Sequence, residues 1–278
     1  MPDSRRALSG TVAVRPVSNR PVGAVTRGTT NPNRLRRVDR WLAGPQAGRL
    51  RGGAPVVVDL GYGAYPVTSL EMLQRLRPVN PQVRLLGIEI DPERVASAQH
   101  LANDDVVFVR GGFELPLPTG WPAPTIVRAF NVLRQYDEAE VPAAWDLLCG
   151  GLGPDGLLVD GTCDEVGRRC TWVALDRSGP LSLTISLKLD AIERPSDVAE
   201  RLPKALIHHN VPGERVHDWL HALDRAWEVH APLRVHGARQ RWLATVSTVK
   251  QEGWPVLHGP TRWRLGEVGI PWRCVNAD

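Results

Sequence analysis

From Pro55 onward the chain alternates short apolar runs with stretches of helical periodicity. Val56-Val-Val-Asp59-Leu60 predicts a buried strand over about 55–60, and Val67, Leu70, Leu73 and Leu76 then recur at helical spacing. A second apolar run, about 83–90, carries Glu89 near its end, and Asp91-Pro92-Glu93 reads as the start of a helix capped by Asp91. Strands are expected again at 106–109, 125–130 and 157–160, with Val141, Ala144, Trp145 and Leu148 marking the helix before the last of them. Such alternation predicts a parallel sheet wrapped by helices. Leu181, Leu183, Ile185, Leu187 and Leu189 alternate with polar residues, which predicts a hairpin around Ser178-Gly179 with one buried face. Helices follow at about 196–207, 213–229 and 239–251, and an edge strand at about 262–268. Upstream, residues 1–22 lack periodicity and hold three prolines, Pro2, Pro16 and Pro21, as expected of a mobile arm. Asn31 then reads as an N-cap with Pro32 at the first helical position, opening a helix whose stripe is Leu35, Val38, Trp41 and Leu42.

The first strand runs into Asp59-Leu-Gly61-Tyr-Gly63-Ala-Tyr-Pro66, and Glu89 lies thirty positions after Asp59. Glycines let a backbone approach a ligand closely, a helix N-terminus offers free N–H groups, and a carboxylate ending the second strand can grip two ribose hydroxyls. Dinucleotide sites read G-x-G-x-x-G, but the third glycine position here is Pro66. Asp59, two residues before the first glycine, would repel a pyrophosphate and attract ammonium and sulfonium charges. The pattern Asp59-x-Gly61-x-Gly63 with Glu89 resembles the class I S-adenosylmethionine-dependent methyltransferases. The resemblance implies a Rossmann-like, doubly wound, mostly parallel sheet of the seven-strand methyltransferase type, and S-adenosyl-L-methionine as cofactor. It covers residues 55–162, including the turn Leu152-Gly-Pro-Asp-Gly156 before the fifth strand. The organisation expected is a basic N-terminal arm and helix over 1–54, a cofactor-binding core over 55–190 and a C-terminal helical region over 191–278 that contacts substrate.

By the same resemblance, Asp59 lies near the methionyl amine, Gly61 and Gly63 contact the cofactor through backbone, and Glu89 holds the ribose. After the third strand the family commonly shows Gly-Asp before a residue that touches adenine. This chain has Gly111-Gly112-Phe113-Glu114, so Phe113 is expected to offer its N–H and an apolar wall, with Glu114 replacing the aspartate. Asn131 closes the fourth strand, where open α/β sheets hold their ligands. The segment Phe130-Asn-Val-Leu-Arg-Gln-Tyr136 departs from the Asn-Pro-Pro-Tyr of amine-methylating relatives. Methyl transfer needs chiefly positioning and exclusion of water, so a base is not required. Asn131, His208 and His209 are the candidate catalytic groups, and Trp172, Trp219 or Trp227 could wall an acceptor pocket. No metal site is expected: His217 and His221 have ligand spacing on a helix but lack a third partner.

At 278 residues with 42% hydrophobic and 23% charged residues, the chain can bury a full core. It has no run of eighteen apolar residues and no apolar stretch near Met1, so a cytoplasmic protein without a membrane span is expected. Cys149, Cys163, Cys170 and Cys274 are expected to be reduced thiols. The net charge of +4 concentrates in the first fifty residues, where Arg34, Arg36 and Arg37 cluster. This motivates RNA methylation as the alternative to a small-molecule acceptor. A cofactor-binding protein without turnover and an NAD(P)-dependent dehydrogenase are further alternatives, the latter disfavoured by Asp59 and Pro66. Finally, Thr26-Arg-Gly-Thr29-Thr30-Asn31-Pro-Asn33 groups hydroxyls and an amide ahead of the helix. The segment is expected to be a lid that contacts the cofactor through Thr29, Thr30 or Asn31 and closes on binding, with Leu35, Val38 and Trp41 anchoring it at the sheet's carboxyl edge.

Overall fold

The structure, a computed structural model, describes residues 21–276, so most of the expected mobile arm lies outside the described residues. Its elements are α1 (Arg36–Ala43), β1 (Val56–Leu60), α2 (Val67–Leu76), β2 (Arg84–Glu89), α3 (Pro92–Ala98), β3 (Val106–Arg110), β4 (Ile126–Phe130), α4 (Val141–Gly150) and β5 (Leu157–Cys163). They continue with β6 (Arg169–Asp176), β7 (Gly179–Leu187), α5 (Lys204–Ile207), α6 (Arg215–Val229), α7 (Ala238–Gln251), α8 (Pro260–Trp263) and β8 (Glu267–Pro271). One sheet contains all eight strands in the order β3-β2-β1-β4-β5-β6-β7-β8. The first five pair in parallel and the last three join antiparallel, in chain order. β1, covered on both faces, is buried at every position, which is why it reads as an unbroken apolar run apart from Asp59.

Side chains alternate across the sheet, so each strand feeds two cores. Val56, Val58 and Leu60 face a core shared with α4, α6 and α7, while Val57 faces a core shared with α1 and α2. Residues of the first, second and third thirds of the chain contribute to these cores: α1 through Leu35, Val38, Trp41 and Leu42, and β8 through Val268 and Ile270. The α1 stripe packs on the flat of the sheet rather than at its carboxyl edge. Trp41 meets Trp172 of β6 edge-on, with ring centroids 5.6 Å apart.

Several elements differ from expectation for local reasons. Asn31 does not cap α1, which starts five residues later; Asn33 takes a left-handed conformation (φ 60°), and residues 32–35 form turns that delay the helix. The helix expected at 196–207 is split into a 3-10 segment, Pro195–Arg201, and α5. Leu202 precedes Pro203 and is held extended (ψ 147°), as a residue before proline must be. Pro260 opens the short α8, which takes the first residues of the expected edge strand, and the strand itself lies at 267–271. Between β5 and β6 the Asp164 carboxylate accepts the N–H groups of Val166 and Arg168, at 3.3 and 2.8 Å. That closed turn is too short for a crossover helix, so β6 can only return antiparallel beside β5.

Candidate functional site

At the carboxyl ends of β1 and β4 the sheet order reverses. α2 leaves β1 toward one face and α4 follows β4 on the other, which opens a crevice at this edge. Gly61 and Gly63 form the turn above β1 with φ 69° and 86°, conformations that side chains resist. A Cβ on Gly63 would also stand 2.6 Å from the carbonyl oxygen of Gly28. Glu89 ends β2 fully buried beneath this turn. Its carboxylate accepts N–H groups from Gly63 (3.0 Å), Ile90 (2.9 Å) and Asp91 (3.3 Å), and the Arg94 guanidinium stands 3.6 Å away. Asp91 caps α3 as its sequence implied, accepting from Glu93 N–H at 2.9 Å.

Asp59 differs from the expectation of a cofactor contact. Its position in β1 turns the side chain away from the crevice, toward α1 and α2, where Arg128 of β4 donates to both oxygens at 2.9 and 2.7 Å and the Ser69 hydroxyl adds a third bond at 2.6 Å. Arg128 is wholly buried and also pairs with Asp39 of α1, which Arg75 reaches at 2.9 Å. Burial alone would lower the Arg128 pKa, but Asp59 and Asp39 more than reverse that. Burial pushes the Asp39 carboxyl up to about 6, against the pull of both arginines. This network was missed in the sequence, although an arginine within Ile126-Val-Arg-Ala-Phe130 was the available signal. A charge inside a buried strand needs a partner.

Residues 22–31 cross the sheet's carboxyl edge as an extended strap. Val22 accepts the Phe113 N–H at 2.9 Å, and its own N–H donates to Glu114 at 2.8 Å. Ala24 N–H donates to the Tyr136 hydroxyl at 2.5 Å and Arg94 donates to the Thr26 carbonyl at 3.0 Å. Arg27 N–H reaches Gln135 at 3.2 Å, and the Gly28 carbonyl accepts from Ala64 at 2.9 Å. Thr29 accepts from Arg34 at 2.7 Å through its carbonyl, Thr30 buries its hydroxyl without a partner, and the Asn31 amide donates to the Glu165 carbonyl at 3.0 Å. The strap therefore meets Phe113, Glu114, Glu89's neighbour Arg94 and the glycine turn in one run.

Beside it lies a cavity of about 630 Å³, bounded by Gly61, Gly63, Phe130, Asn131 and the strap. Arg27, Arg34, Arg134 and Arg201 line it against a single acid, Glu165. Burial lowers the Arg134 pKa, and the nearby positive charges of Arg201 and Arg27 lower it further. Asn131 itself is left-handed (φ 59°) and ties β4 to β5, accepting the Cys163 N–H at 3.1 Å and donating to its Sγ at 3.4 Å. Cys163 faces Cys170 across β5 and β6; a hydrogen bond from Cys170 holds the Cys163 thiol down at about 7 despite burial. All four cysteines are free.

Other candidates lie elsewhere. Neither His208 nor His209 lines this cavity; His209 pairs with Glu138 at 2.7 Å in a separate groove of about 1360 Å³ along α4. Trp172, Trp219 and Trp227 are buried in the two cores; of the three, Trp227 also borders a groove of about 650 Å³ beside His217 and His221, away from the glycine turn. The guanidiniums of Arg34, Arg36 and Arg37 are spent on carbonyl oxygens around the β5–β6 turn and at Leu265. They hold α1 to the β5–β6 turn.

A parallel run in the order 3-2-1-4-5, with a glycine turn at the point where that order reverses, decides the architecture. The fold is Rossmann-like. No protein-family model matches the chain, and no curated protein matches it. Among solved structures it is similar to a magnesium protoporphyrin IX methyltransferase from Synechocystis PCC 6803 with bound SAH, at 21% identity over 46% of this chain and 54% of that one, TM-score 0.35. It is also similar to the CcbJ methyltransferase from Streptomyces caelestis, at 17% identity over 58% and 74%, TM-score 0.35. The plantazolicin methyltransferase BpumL follows at 12% over 48% of each chain, TM-score 0.37. The chain spans between about a third and about a half of the length of the first three structures it matches. Likeness of this size adds nothing to what the strand order itself establishes.

Proposed function

We propose that this Rossmann-like protein is an S-adenosyl-L-methionine-dependent methyltransferase acting on a small molecule. The observation that carries the reading is the convergence, at one sheet edge, of the Gly61–Gly63 turn, the buried Glu89 carboxylate and the Phe113 N–H beside Glu114. These groups suit a nucleoside. A carboxylate ending β2 accepts from ribose hydroxyls, and an N–H next to a carboxylate matches the ring nitrogen and amino group of adenine. In the conformation described, the strap engages the same Phe113 and Glu114 groups, so they become available only when it moves. The cofactor, when bound, supplies an activated methyl group.

The chain's own part is to hold the acceptor. With Arg34 held by carbonyl oxygens, Arg27, Arg134 and Arg201 still outnumber the one acid, Glu165, in the 630 Å³ cavity, which favours an acceptor with an anionic oxygen or a carboxylate. Guanidiniums beside an acceptor hydroxyl lower its pKa, so that it releases its proton to water with neither His208 nor His209 at the cavity. RNA as acceptor is less favoured on the described residues, because Arg34, Arg36 and Arg37 donate to carbonyl oxygens within the protein; Arg5, Arg6, Arg15 and Arg20 lie outside the described residues.

Calorimetry with S-adenosylhomocysteine and NADH tests the assignment. The protein is expected to bind the first and not the second, and mass spectrometry of the purified protein to find S-adenosyl ligands. Glu89→Ala should weaken S-adenosylhomocysteine binding by roughly 1–3 kcal/mol, since ribose hydroxyls would lose their acceptor and the glycine turn its support. NADH binding, or no affinity for either ligand, would end this reading.

A further inference from the structure

The strap lies on the floor of the site, with no space for a ligand beneath it. A Cβ on Gly112 would stand 2.0 Å from the Val22 carbonyl oxygen, and one on Gly63 would stand 2.6 Å from that of Gly28. A lid that closes over a bound molecule would leave a layer between itself and these glycines. Here the backbone of residues 22–28 is that layer.

The chemistry of the contacts says what the strap replaces. The Val22 residue presents a donor and an acceptor: its N–H to Glu114 at 2.8 Å and its carbonyl to the Phe113 N–H at 2.9 Å. Adenine presents the same pair, an amino donor adjacent to a ring-nitrogen acceptor. The next residue, Gly23, sits where a side chain would start 2.9 Å from the Tyr136 hydroxyl, 3.7 Å from Ile90 and 3.9 Å from Phe113, so this part of the strap also lies close against the site. Further along, Arg94 next to Glu89 binds the Thr26 carbonyl, and Gly28 reaches the glycine turn. The strap thus runs from the base-recognising groups past the ribose carboxylate to the turn above β1.

Its hold is slight. Val22 and Val25 are 44% and 59% exposed, so the strap buries little apolar surface. Its attachments are hydrogen bonds, of which those made by the Val22, Ala24 and Arg27 N–H groups are exposed, the kind that open at small cost.

We propose that residues 22–28 are an internal ligand of the adenosine site, mutually exclusive with the cofactor and displaced by it. This rests on the cofactor assignment made above. Occupancy by the strap multiplies the cofactor's affinity by the fraction of molecules in which the strap is detached, so weakening the strap raises affinity. The arrangement would let whatever releases the strap control cofactor loading, without touching the site.

The test uses the full chain and two substitutions in the strap. Val22→Pro removes the N–H that Glu114 accepts. Gly28→Val puts a side chain at φ 71°, where a Cβ would meet the Arg94 guanidinium at 2.5 Å. Both variants are expected to keep the wild-type unfolding temperature and to bind S-adenosylhomocysteine about 5- to 30-fold more tightly by calorimetry. Free adenosine should show the same gain. In the wild type, hydrogen exchange over residues 22–28 is expected to speed up when S-adenosylhomocysteine binds. Unchanged or weaker binding by both variants overturns the inference while leaving the cofactor assignment standing. So does slower exchange of the strap on binding, the signature of a lid. If neither wild type nor variants bind S-adenosylhomocysteine, the cofactor assignment itself falls and takes this inference with it.

Discussion

Arg128→Met is expected to destabilise the protein by about 3–5 kcal/mol, the cost of leaving buried charge without its partner. Arg128 is fully buried and stands between two buried carboxylates, Asp39 on α1 and Asp59 on β1, and also donates to the Thr68 carbonyl at 3.0 Å. Methionine matches much of its length but offers no donor. Asp59 would keep only the Ser69 hydroxyl and Asp39 only Arg75. The double variant Arg128→Met, Asp59→Asn should recover a part of the loss, because one uncompensated charge is gone. Urea unfolding followed by circular dichroism measures both. A loss under about 1 kcal/mol for the single variant would mean that water reaches the site and the network is not a closed one.

A second large effect is expected with pH. Asp160 of β5 is buried against α4 with one polar partner, the Trp145 indole N–H at 3.1 Å. Burial pushes its pKa up to about 7, and the indole bond only partly opposes this. In the unfolded chain the same group titrates near 3.8. Between these values the folded protein holds a proton that the unfolded chain has released, so stability falls as pH rises. The contribution is complete below about pH 4 and lost above about pH 7, and should be on the order of 2–4 kcal/mol. Asp39, pushed up to about 6, adds a term of the same sign that ends earlier. Asp160→Asn is expected to flatten the profile between pH 6 and 7 and to leave the variant more stable than wild type at pH 8. Unfolding curves at pH 5, 6, 7 and 8 measure it; parallel profiles for the two proteins would place Asp160 in contact with water.

What sequence alone determined here is what depends on neighbours along the chain. The period of apolar residues marks each strand from β1 to β5, the hairpin of β6 and β7, and helices α2, α4, α6 and α7, because burial on one face or two leaves a pattern of fixed spacing. Asp91 as a cap and the left-handed glycines above β1 are legible for the same reason: two or three adjacent residues settle them. That Glu89 ends the second strand also followed, since a strand, a helix and a second strand of these lengths leave little choice; its bond to the Gly63 N–H came only with the fold.

The tertiary structure decided everything that depends on which face or which distant partner a residue meets. Asp59 was read from its spacing to Gly61, yet its side chain belongs to the other face of the sheet, where Arg128 waits 69 residues away and α1 brings Asp39. Arg34, Arg36 and Arg37 look like a basic surface along the chain, but folding sets them against the carbonyls of a turn about 130 residues on. His209 sits two residues past a short helix and is carried to Glu138, away from the strand edge that its chemistry suggested. The strap is the clearest case. No local pattern marks Val22 as a partner for Phe113 and Glu114, because its backbone donor and acceptor are common to every non-proline residue. Only the fold, by bringing the end of the arm over the end of β3, gives that ordinary peptide group a site to fill.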